Sequence, residues 1–361
     1  MSIDLVGTTS AEVNAALLDA RRRAGSPAMG MVLTLVVVAD EKEHYDALRA
    51  ATDASREHPS RIVMAIPRPG RDDPRLDAEI RVPGESGPGE VILLRLHGAL
   101  ADHADSAVLP LLLPDAPVVT WWPGKAPTTP CQDPLGGFAQ RRVTDAAASP
   151  RPLAELARRA EGYRPGDTDL SWTRLTPWRS LLAAALDERP EEVTGVEVAA
   201  ERSNPSAELM AQWLACALGV EVTRRQSKGP GLTAVRLHTA SGPVSLSRPD
   251  GRLAVLSRPG QPDRPVALQR RSTSELIAEE LRHLDPDDVY EQTIARLRTS
   301  ATSTTEGTGS RAATKGEPTG PNRAAGDTAE GAGKRTGKPT AKASGKGSGK
   351  GSGGRTARKG S

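Results

Sequence analysis

Three consecutive runs decide the fold: Met29-Gly-Met-Val-Leu-Thr-Leu-Val-Val-Val38, Asp40-Glu-Lys-Glu-His-Tyr-Asp-Ala-Leu-Arg-Ala-Ala-Thr-Asp-Ala54 and Arg61-Ile-Val-Met-Ala-Ile66. The first is β-branched and almost wholly apolar, as expected of a strand covered on both faces. The second sets Tyr45, Leu48 and Ala51 on one helical stripe, and the third is apolar again. Strand, helix and strand in this order predict a parallel pair joined by a right-handed crossover. Further along, Leu76 to Val82 alternates apolar and polar, the mark of a half-exposed strand. Val91 to Leu96 is a buried strand, Ala99 to Leu109 a helix punctuated by Pro110 and Pro114, and Val118 to Trp122 another strand. The loop Pro123 to Gly137 leads to a last strand at Arg141 to Thr144. Residues 28–150 therefore read as an α/β domain built on a small open, largely parallel sheet. Residues 1–27 read as an N-terminal helix, opened by the capping box Thr9-Ser-Ala-Glu12, in which Thr and Glu side chains satisfy free amides of the first turn.

Residues 151–298 read as an α+β domain. Pro150 and Pro152 open a helix through Glu161, and Trp178 to Leu186 forms a second, with Pro177 where a missing N–H costs least. Val193 to Ala199 is a strand. Asn204 starts a helix that runs to Leu218, with Gly219 as its stop. Short strands near 220–225, 232–239, 243–248 and 252–257 follow, separated by Gly229-Pro-Gly231, Ser241-Gly242 and Pro249-Asp-Gly251, which makes a strand meander. Ser272 and Glu275 form a second capping box, and a last helix begins at Asp285-Pro286. From Thr299 the apolar pattern stops. Residues 299–361, rich in Gly, Ser, Thr, Ala and Lys, bury too little surface to offset chain entropy, which predicts a disordered basic tail.

The net charge of +3 conceals two regions. Residues 1–298 carry 36 basic and 41 acidic groups, and the tail carries 12 and 4. The body is mildly acidic, so any attraction to polyanions belongs to the tail. That attraction is weak and salt-sensitive, because no aromatic residues interleave the lysines for stacking on bases. No specific nucleic-acid partner is expected. Aromatic residues make up 2% of the chain, so the core must be aliphatic. No secretory signal is apparent, and the longest apolar run, Ala28 to Ala39, is too short to cross a bilayer, which takes about 20 residues. Two cysteines, Cys131 and Cys216, build no disulfide framework. A soluble cytoplasmic protein with no membrane partner is the expectation.

With aromatic rings so scarce, two tryptophans in one polar stretch stand out: Arg164-Pro-Gly-Asp167-Thr-Asp169-Leu-Ser-Trp172-Thr-Arg174-Leu-Thr-Pro177-Trp178-Arg179. Tryptophan and arginine dominate buried contacts at binding surfaces. Asp167, Asp169, Trp172, Arg174, Trp178 and Arg179 are accordingly the candidate residues for binding a partner or supporting such a site. Trp178 could equally anchor its helix on a sheet, and a carboxylate beside Arg164, Arg174 and Arg179 is more often a structural ion pair than an acid–base catalyst. Trp121 and Trp122 end a strand, and the loop after them lies where open α/β sheets place ligands.

The stretch Asp169-Leu-Ser-Trp-Thr-Arg-Leu-Thr-Pro-Trp-Arg179 resembles the central signature of the OpcA family, the glucose-6-phosphate dehydrogenase assembly proteins. Shorter similarities keep the family's order: His58-Pro-Ser-Arg61, Pro117-Val-Val-Thr-Trp-Trp-Pro123, Asp133-Pro-Leu-Gly136, Arg258-Pro-Gly-Gln-Pro-Asp-Arg264 and Leu284-Asp-Pro-Asp-Asp-Val-Tyr290. The resemblance spans residues 28–298. It implies a non-enzymatic partner of glucose-6-phosphate dehydrogenase that promotes its assembly or active state, in support of the oxidative pentose phosphate pathway and NADPH supply. Some relatives are thought to respond to redox state, an idea that two widely separated cysteines support little here.

Other chemistries find little support in the residues. The six histidines (His44, His58, His97, His103, His238 and His283) show no zinc-ligand spacing. Gly345-Lys-Gly-Ser-Gly-Lys-Gly-Ser resembles a phosphate loop only in composition, and no Gly-x-Gly-x-x-Gly follows a strand. Ser60, Ser171 and Ser180 lack the glycine elbow of a hydrolase nucleophile. No catalytic residue, metal or cofactor is expected. The alternative is a sugar-phosphate binding or hydrolysing enzyme that uses the Arg/Asp cluster at 164–179, with the arginines clamping phosphate and Asp167 or Asp169 as base.

Overall fold

The computed structural model describes residues 2–24, 30–82, 89–187 and 191–309, with residues 301–309 described by their backbone alone. Two sheets organise them. The first holds eight strands: β1 (Ser2–Thr8), β2 (Leu33–Val38), β3 (Ser60–Arg68), β4 (Arg75–Arg81), β5 (Glu90–His97), β6 (Val118–Trp121), β7 (Arg141–Thr144) and β8 (Asp167–Asp169), in the order β1-β4-β5-β3-β2-β6-β7-β8. From β5 to β8 every neighbouring pair is parallel. Those six strands follow the doubly wound order of dinucleotide-binding sheets, with the switch point between β2 and β6. β4 and β1 extend the other edge antiparallel. The largely parallel sheet expected from the sequence is therefore present, with more strands than the sequence suggested.

Both faces of this sheet are buried, which explains the unbroken apolar runs. On one face Leu35, Val37, Ile62, Met64, Ile66, Leu93 and Val119 meet the helix α2 (His44–Ala54). On the other, Val36, Val63, Ile92 and Leu94 meet α1 (Ser10–Ala24) and a short helix α3 (Ala104–Val108). Full burial of each such side chain stabilises by roughly 1.5–3 kcal/mol. Thr34, the polar break inside β2, is fully buried, and its hydroxyl accepts from Leu113 N at 3.0 Å. The Thr9 box closes as expected: Thr9 N donates to the Glu12 carboxylate at 2.9 Å and Glu12 N to Thr9 Oγ1 at 3.3 Å.

The second sheet has six strands: β9 (Val193–Ala200), β10 (Val222–Gln226), β11 (Leu232–Thr239), β12 (Gly242–Ser247), β13 (Leu253–Ser257) and β14 (Arg264–Ala267), ordered β10-β9-β11-β12-β13-β14. β11, β12 and β13 form the antiparallel meander expected over 232–257, β14 extends it beyond the strands expected, and β10, expected as its first strand, pairs parallel with β9 instead. The helices here are α4 (Pro152–Gly162), α5 (Leu170–Thr173), α6 (Thr176–Asp187), α7 (Pro205–Leu218), α8 (Thr273–Arg282) and α9 (Asp288–Gly309). Leu156, Trp172, Leu175, Trp178, Leu182, Leu209, Met210, Leu214, Tyr290 and Ile294 join the inner face of this sheet in one core. α8 instead returns to the first sheet, where Leu276, Ile277 and Leu281 pack beside α2.

Several elements differ from expectation for local reasons. The helix expected over 99–109 is a 3-10 turn at Gly98–His103 followed by α3, because His103 between them leaves helical geometry at φ −123° and ψ 41°. β1 carries only two half-buried apolar side chains, Ile3 and Leu5, at a sheet edge, too little alternation to read. The last helix begins at Asp288, one residue after its capping carboxylate: Tyr290 N donates to Asp287 Oδ1 at 2.9 Å. It runs on to Gly309, past the expected end at Thr299, since no glycine or proline interrupts residues 299–306. The disordered tail expected over 299–361 lies, beyond residue 309, outside the described residues.

Candidate functional site

The tryptophan–arginine segment begins where the chain leaves α4 and adds β8 to the first sheet. Gly166 takes φ 92°, and a Cβ there would stand 2.4 Å from Gln140 O, so only glycine fits the approach. Arg142, on the neighbouring β7, holds the turn: Nη1 donates to Ala139 O at 2.7 Å, Nη2 to Pro165 O at 2.5 Å, and Nε to the Asp167 carboxylate. Asp167 also accepts from Arg164 N at 2.8 Å. Burial pushes its pKa up, opposed by Arg142.

Asp169 is 1% exposed and meets four donors. Oδ2 accepts from Thr144 Oγ1 at 2.7 Å, Ala146 N at 2.9 Å and Arg159 Nη1 at 2.8 Å, while Oδ1 accepts from Ser171 N at 2.9 Å as the cap of α5. This carboxylate ties β7, α4, β8 and α5 together. Its lone pairs are engaged, which leaves little capacity to accept a substrate proton.

Trp172 and Trp178 are both buried in the second core. Trp172 Nε1 donates to Asp287 Oδ2 at 2.7 Å, and the Arg179 guanidinium lies over its ring. Arg174 makes a bidentate pair with Asp145, at 2.8 and 2.7 Å. Burial alone would lower the Arg174 pKa, but the Asp145 pair carries it up. Arg179 lacks such a carboxylate pair among the described residues, and burial lowers its pKa. The aspartates and arginines at 167–179 are thus brought to one seam between the sheets but do not converge on a common point: Asp167 faces Arg142, Asp169 faces Arg159, Arg174 faces Asp145, and Arg179 faces Trp172.

A cleft of ≈ 320 Å³ opens beside the segment, lined among others by Arg141, Trp172, Thr176, Arg179, Glu280 and Asp287. Its charges are mostly spoken for. Arg141 binds Glu280 at 2.8 and 2.6 Å and Asp285 O at 2.8 Å, and Thr176 Oγ1 donates to Glu279 at 2.7 Å. Arg271 pairs with Glu279 and donates to Thr173 O. These bonds lock α8 onto the segment.

Trp121 and Trp122 sit at the switch point of the first sheet, both buried. Trp121 Nε1 has no acceptor among the described residues, and Gly136 packs against the Trp122 ring. In a dinucleotide site, free amides of the first strand-to-helix turn would face this crevice. Here Asp40 Oδ1 already accepts from Lys42 N at 2.9 Å and Glu43 N at 3.0 Å. Glu43 reaches across to Gly124, where a Cβ would come within 2.0 Å of its Oε2. Burial, with Asp40 nearby, pushes the Glu43 pKa up. Asp40 and Glu43, both exposed, thus put two carboxylates at this crevice, where they repel a pyrophosphate.

The partners Arg142, Asp145, Arg159, Glu280 and Asp287 are not singled out by sequence reasoning. Their only advance signal is charge inside or next to short apolar strands and helices, as in Arg141-Arg142-Val-Thr-Asp145. Arg61 sits at the start of β3, donating to Glu90 at 3.0 Å and to Leu111 O at 2.6 Å. Cys131 is half-buried and Cys216 exposed on α7. Among the described residues no group of three or more His, Cys, Asp or Glu side chains could hold a metal, and no helix is long and apolar enough to cross a membrane.

Two family profiles match the chain. Both describe a glucose-6-phosphate dehydrogenase subunit of the OpcA type: the profile of its N-terminal domain matches residues 51–161, and that of its C-terminal domain matches residues 165–294. The putative OxPP cycle protein OpcA of Nostoc punctiforme is 27% identical over 215 residues, covering 54% of this chain and 45% of the relative. Its namesake from Synechococcus elongatus is 31% identical over 151 residues, covering 39% of this chain and 34% of the relative. The chain thus spans less than half the length of the curated relatives it matches. Among solved structures, KijD10, a 3-ketoreductase from Actinomadura kijaniata, aligns with a TM-score of 0.44 at 11% identity, over 76% of this chain and 97% of that one.

Proposed function

Because this chain belongs to the OpcA family, we propose that it is a non-catalytic partner of glucose-6-phosphate dehydrogenase that promotes that enzyme's assembly or active state. The observation that carries the proposal is the pair of family profiles, which together run through both sheets and meet at the tryptophan–arginine segment. The side-chain geometry supports it. The carboxylates that could serve as a base, Asp167 and Asp169, are committed to Arg142, Arg159 and backbone amides. Asp40 and Glu43 place two carboxylates at the switch-point crevice, and Asp40 already accepts from the amides of the first strand-to-helix turn. Both observations favour a protein that acts by holding another molecule.

The mechanism is differential binding. A partner that grips the active conformer or oligomer more tightly shifts the population toward it, by no more than the difference in affinity. In this reading Trp172, Arg174, Trp178 and Arg179 support the contact surface from beneath. The rings of Trp172 and Trp178 are 1% and 2% exposed and cannot themselves offer area to a partner. A cytoplasmic site of action, where the dehydrogenase works, and a role in NADPH supply follow from the same reading.

Mixing the purified chain with the dehydrogenase tests it. The expected result is a change in dehydrogenase activity or in elution volume on size exclusion, diminished by Arg174→Ala with Arg179→Ala. Unchanged activity and unchanged elution across micromolar to millimolar mixtures would remove the proposal. Turnover of a lactone or sugar phosphate by the isolated chain would replace it with the enzymatic alternative.

A further inference from the structure

A second cavity borders the segment, and two of its charges are not spoken for among the described residues. Arg248 follows β12 and is 6% exposed. Its Nη1 donates to Leu268 O at 2.7 Å and its Nη2 to Leu232 O at 3.2 Å, while Nε finds no acceptor among the described residues. The guanidinium carbon stands 5.0 Å from the Trp178 ring centroid. No carboxylate forms an ion pair with it among the described residues. A buried cation left without an anion is costly. Burial and the neighbouring Arg270 bring the Arg248 pKa down to about 10, partly opposed by Asp250, so the group stays charged at neutral pH. Asp250 itself is exposed and caps Arg252 N and Leu253 N.

The cavity measures ≈ 80 Å³, and its lining includes Arg174, Trp178, Ser206, Arg248, Arg270 and Arg271. Among the described residues no Asp or Glu lines it. Asp145 balances Arg174 and Glu279 balances Arg271, which leaves Arg248 and Arg270 in excess. The N-terminus of α7 adds to the positive potential. Asn204 Oδ1 caps Ala207 N at 2.9 Å, Pro205 has no N–H, and Ser206 lies in the first turn, where amides have no carbonyl of their own helix to meet. The space is well below the ~300 Å³ of a pocket for a whole metabolite or drug, but it suits one tetrahedral oxyanion.

We infer that this cavity binds inorganic phosphate or the phosphoryl head of a phosphomonoester, gripped by Arg248 and Arg270 against the first turn of α7. A dianion matches two uncompensated guanidiniums, whose planar forks suit phosphate oxygens. The rest of an ester would lie outward past Arg270, which is exposed. Arg174 and Trp178 share the lining, so an occupied cavity braces the segment from behind.

Binding is measured on the full chain alone, so this inference and the dehydrogenase reading stand or fall separately. Calorimetric titrations in about 150 mM chloride would use inorganic phosphate, glucose 6-phosphate and glucose. Saturable one-site binding of either phosphate species is expected, with none for glucose; whichever binds more tightly identifies the free ion or the ester as the ligand. Arg248→Met should abolish it. Arg270→Glu, at the exposed rim where folding is not at stake, tests the same site independently and should weaken binding at least tenfold, a loss of the order of one charge-assisted hydrogen bond. Arg49→Ala, an exposed arginine on α2, should leave it unchanged. No saturation by ~10 mM phosphate or ester, equal affinity in Arg270→Glu, or equal binding of glucose would overturn the inference.

Discussion

The guanidinium of Arg179 lies 3.8 Å from the ring centroid of Trp172, and the same indole donates through Nε1 to Asp287 at the start of α9. One side chain is thereby clamped from above by a cation and at its edge by an anion. The clamp joins α5, α6 and α9 at the seam between the two sheets. Stacking over an indole contributes about 0.5–2 kcal/mol, more when the cation is desolvated as Arg179 is. A double-mutant cycle isolates that coupling. Trp172→Leu and Arg179→Met are each expected to lower stability to urea, and the double variant to lose about 1 kcal/mol less than the sum. Additive losses would show that the stacked geometry contributes nothing of its own.

Asp169 makes the sharper prediction, because its four donors come from β7 and the turn after it, from α4 and from α5. Asp169→Ala leaves the buried Arg159 cation with no carboxylate and uncaps α5. Breaking a buried pair from one side costs about 3–5 kcal/mol, and the cap adds about 1 kcal/mol. Thermal melting by circular dichroism should show a large fall in Tm or a chain that no longer folds. Asp169→Asn keeps one acceptor oxygen but sets an NH2 against the remaining donors, and its Tm should fall between those of wild type and Asp169→Ala. A wild-type melt for Asp169→Ala would mean that the seam is not a structural keystone.

Gly166 is the position where the segment tolerates no side chain. Its φ of 92° and the 2.4 Å gap to Gln140 O apply together, so alanine must both strain the backbone and push β7 from β8. Strain of this kind costs about 1–3 kcal/mol. Gly166→Ala should lower Tm and loosen the amides of Arg142 and Val143 in hydrogen exchange. Unchanged protection there would show that β7 and β8 separate without cost.

How much of this is legible in the sequence depends on what each residue answers to. β2, β3 and β5 announce themselves because both faces of a parallel sheet are covered, and the demand appears as unbroken Val, Ile and Leu. The capping boxes at Thr9 and Ser272 are legible because each is closed within four residues. β8 is not: Asp167-Thr-Asp169 has no apolar residue, and it becomes a strand only because Arg142, Arg159 and Thr144 wait to receive its carboxylates. The same holds at the candidate site. The composition of 164–179 marks it as special, but the partners Asp145, Glu280 and Asp287 lie 29 to 115 residues away from the groups they bind. Contacts so distant in sequence leave no periodicity. Arg248 escapes notice for a related reason: its significance lies in the carboxylate that it lacks, which no sequence pattern displays.

The second capping box gives a prediction with a definite sign. Glu275 accepts from Ser272 N at 2.6 Å and from Ser272 Oγ at 2.8 Å, and Ser272 Oγ accepts from Glu275 N at 3.3 Å. The hydrogen bonds from the Ser272 amide and hydroxyl hold the Glu275 carboxyl below its ordinary 4.5, against a small opposing effect of burial. A depressed folded-state pKa means that the unfolded chain takes up the proton first as acid is added. The contribution of Glu275 is therefore complete above about pH 4.5 and disappears as pH falls through the lower folded value. Glu275→Gln removes the ionisation while keeping an amide that can still accept from Ser272. Its Tm should lie below wild type at about pH 6, and the gap should close by about pH 3. Because α8 anchors the segment through Glu279 and Glu280, the loss should also appear as faster exchange at Thr173 and Thr176. A gap that stays constant from about pH 6 to about pH 3 would mean that the cap acts through packing and not through its charge.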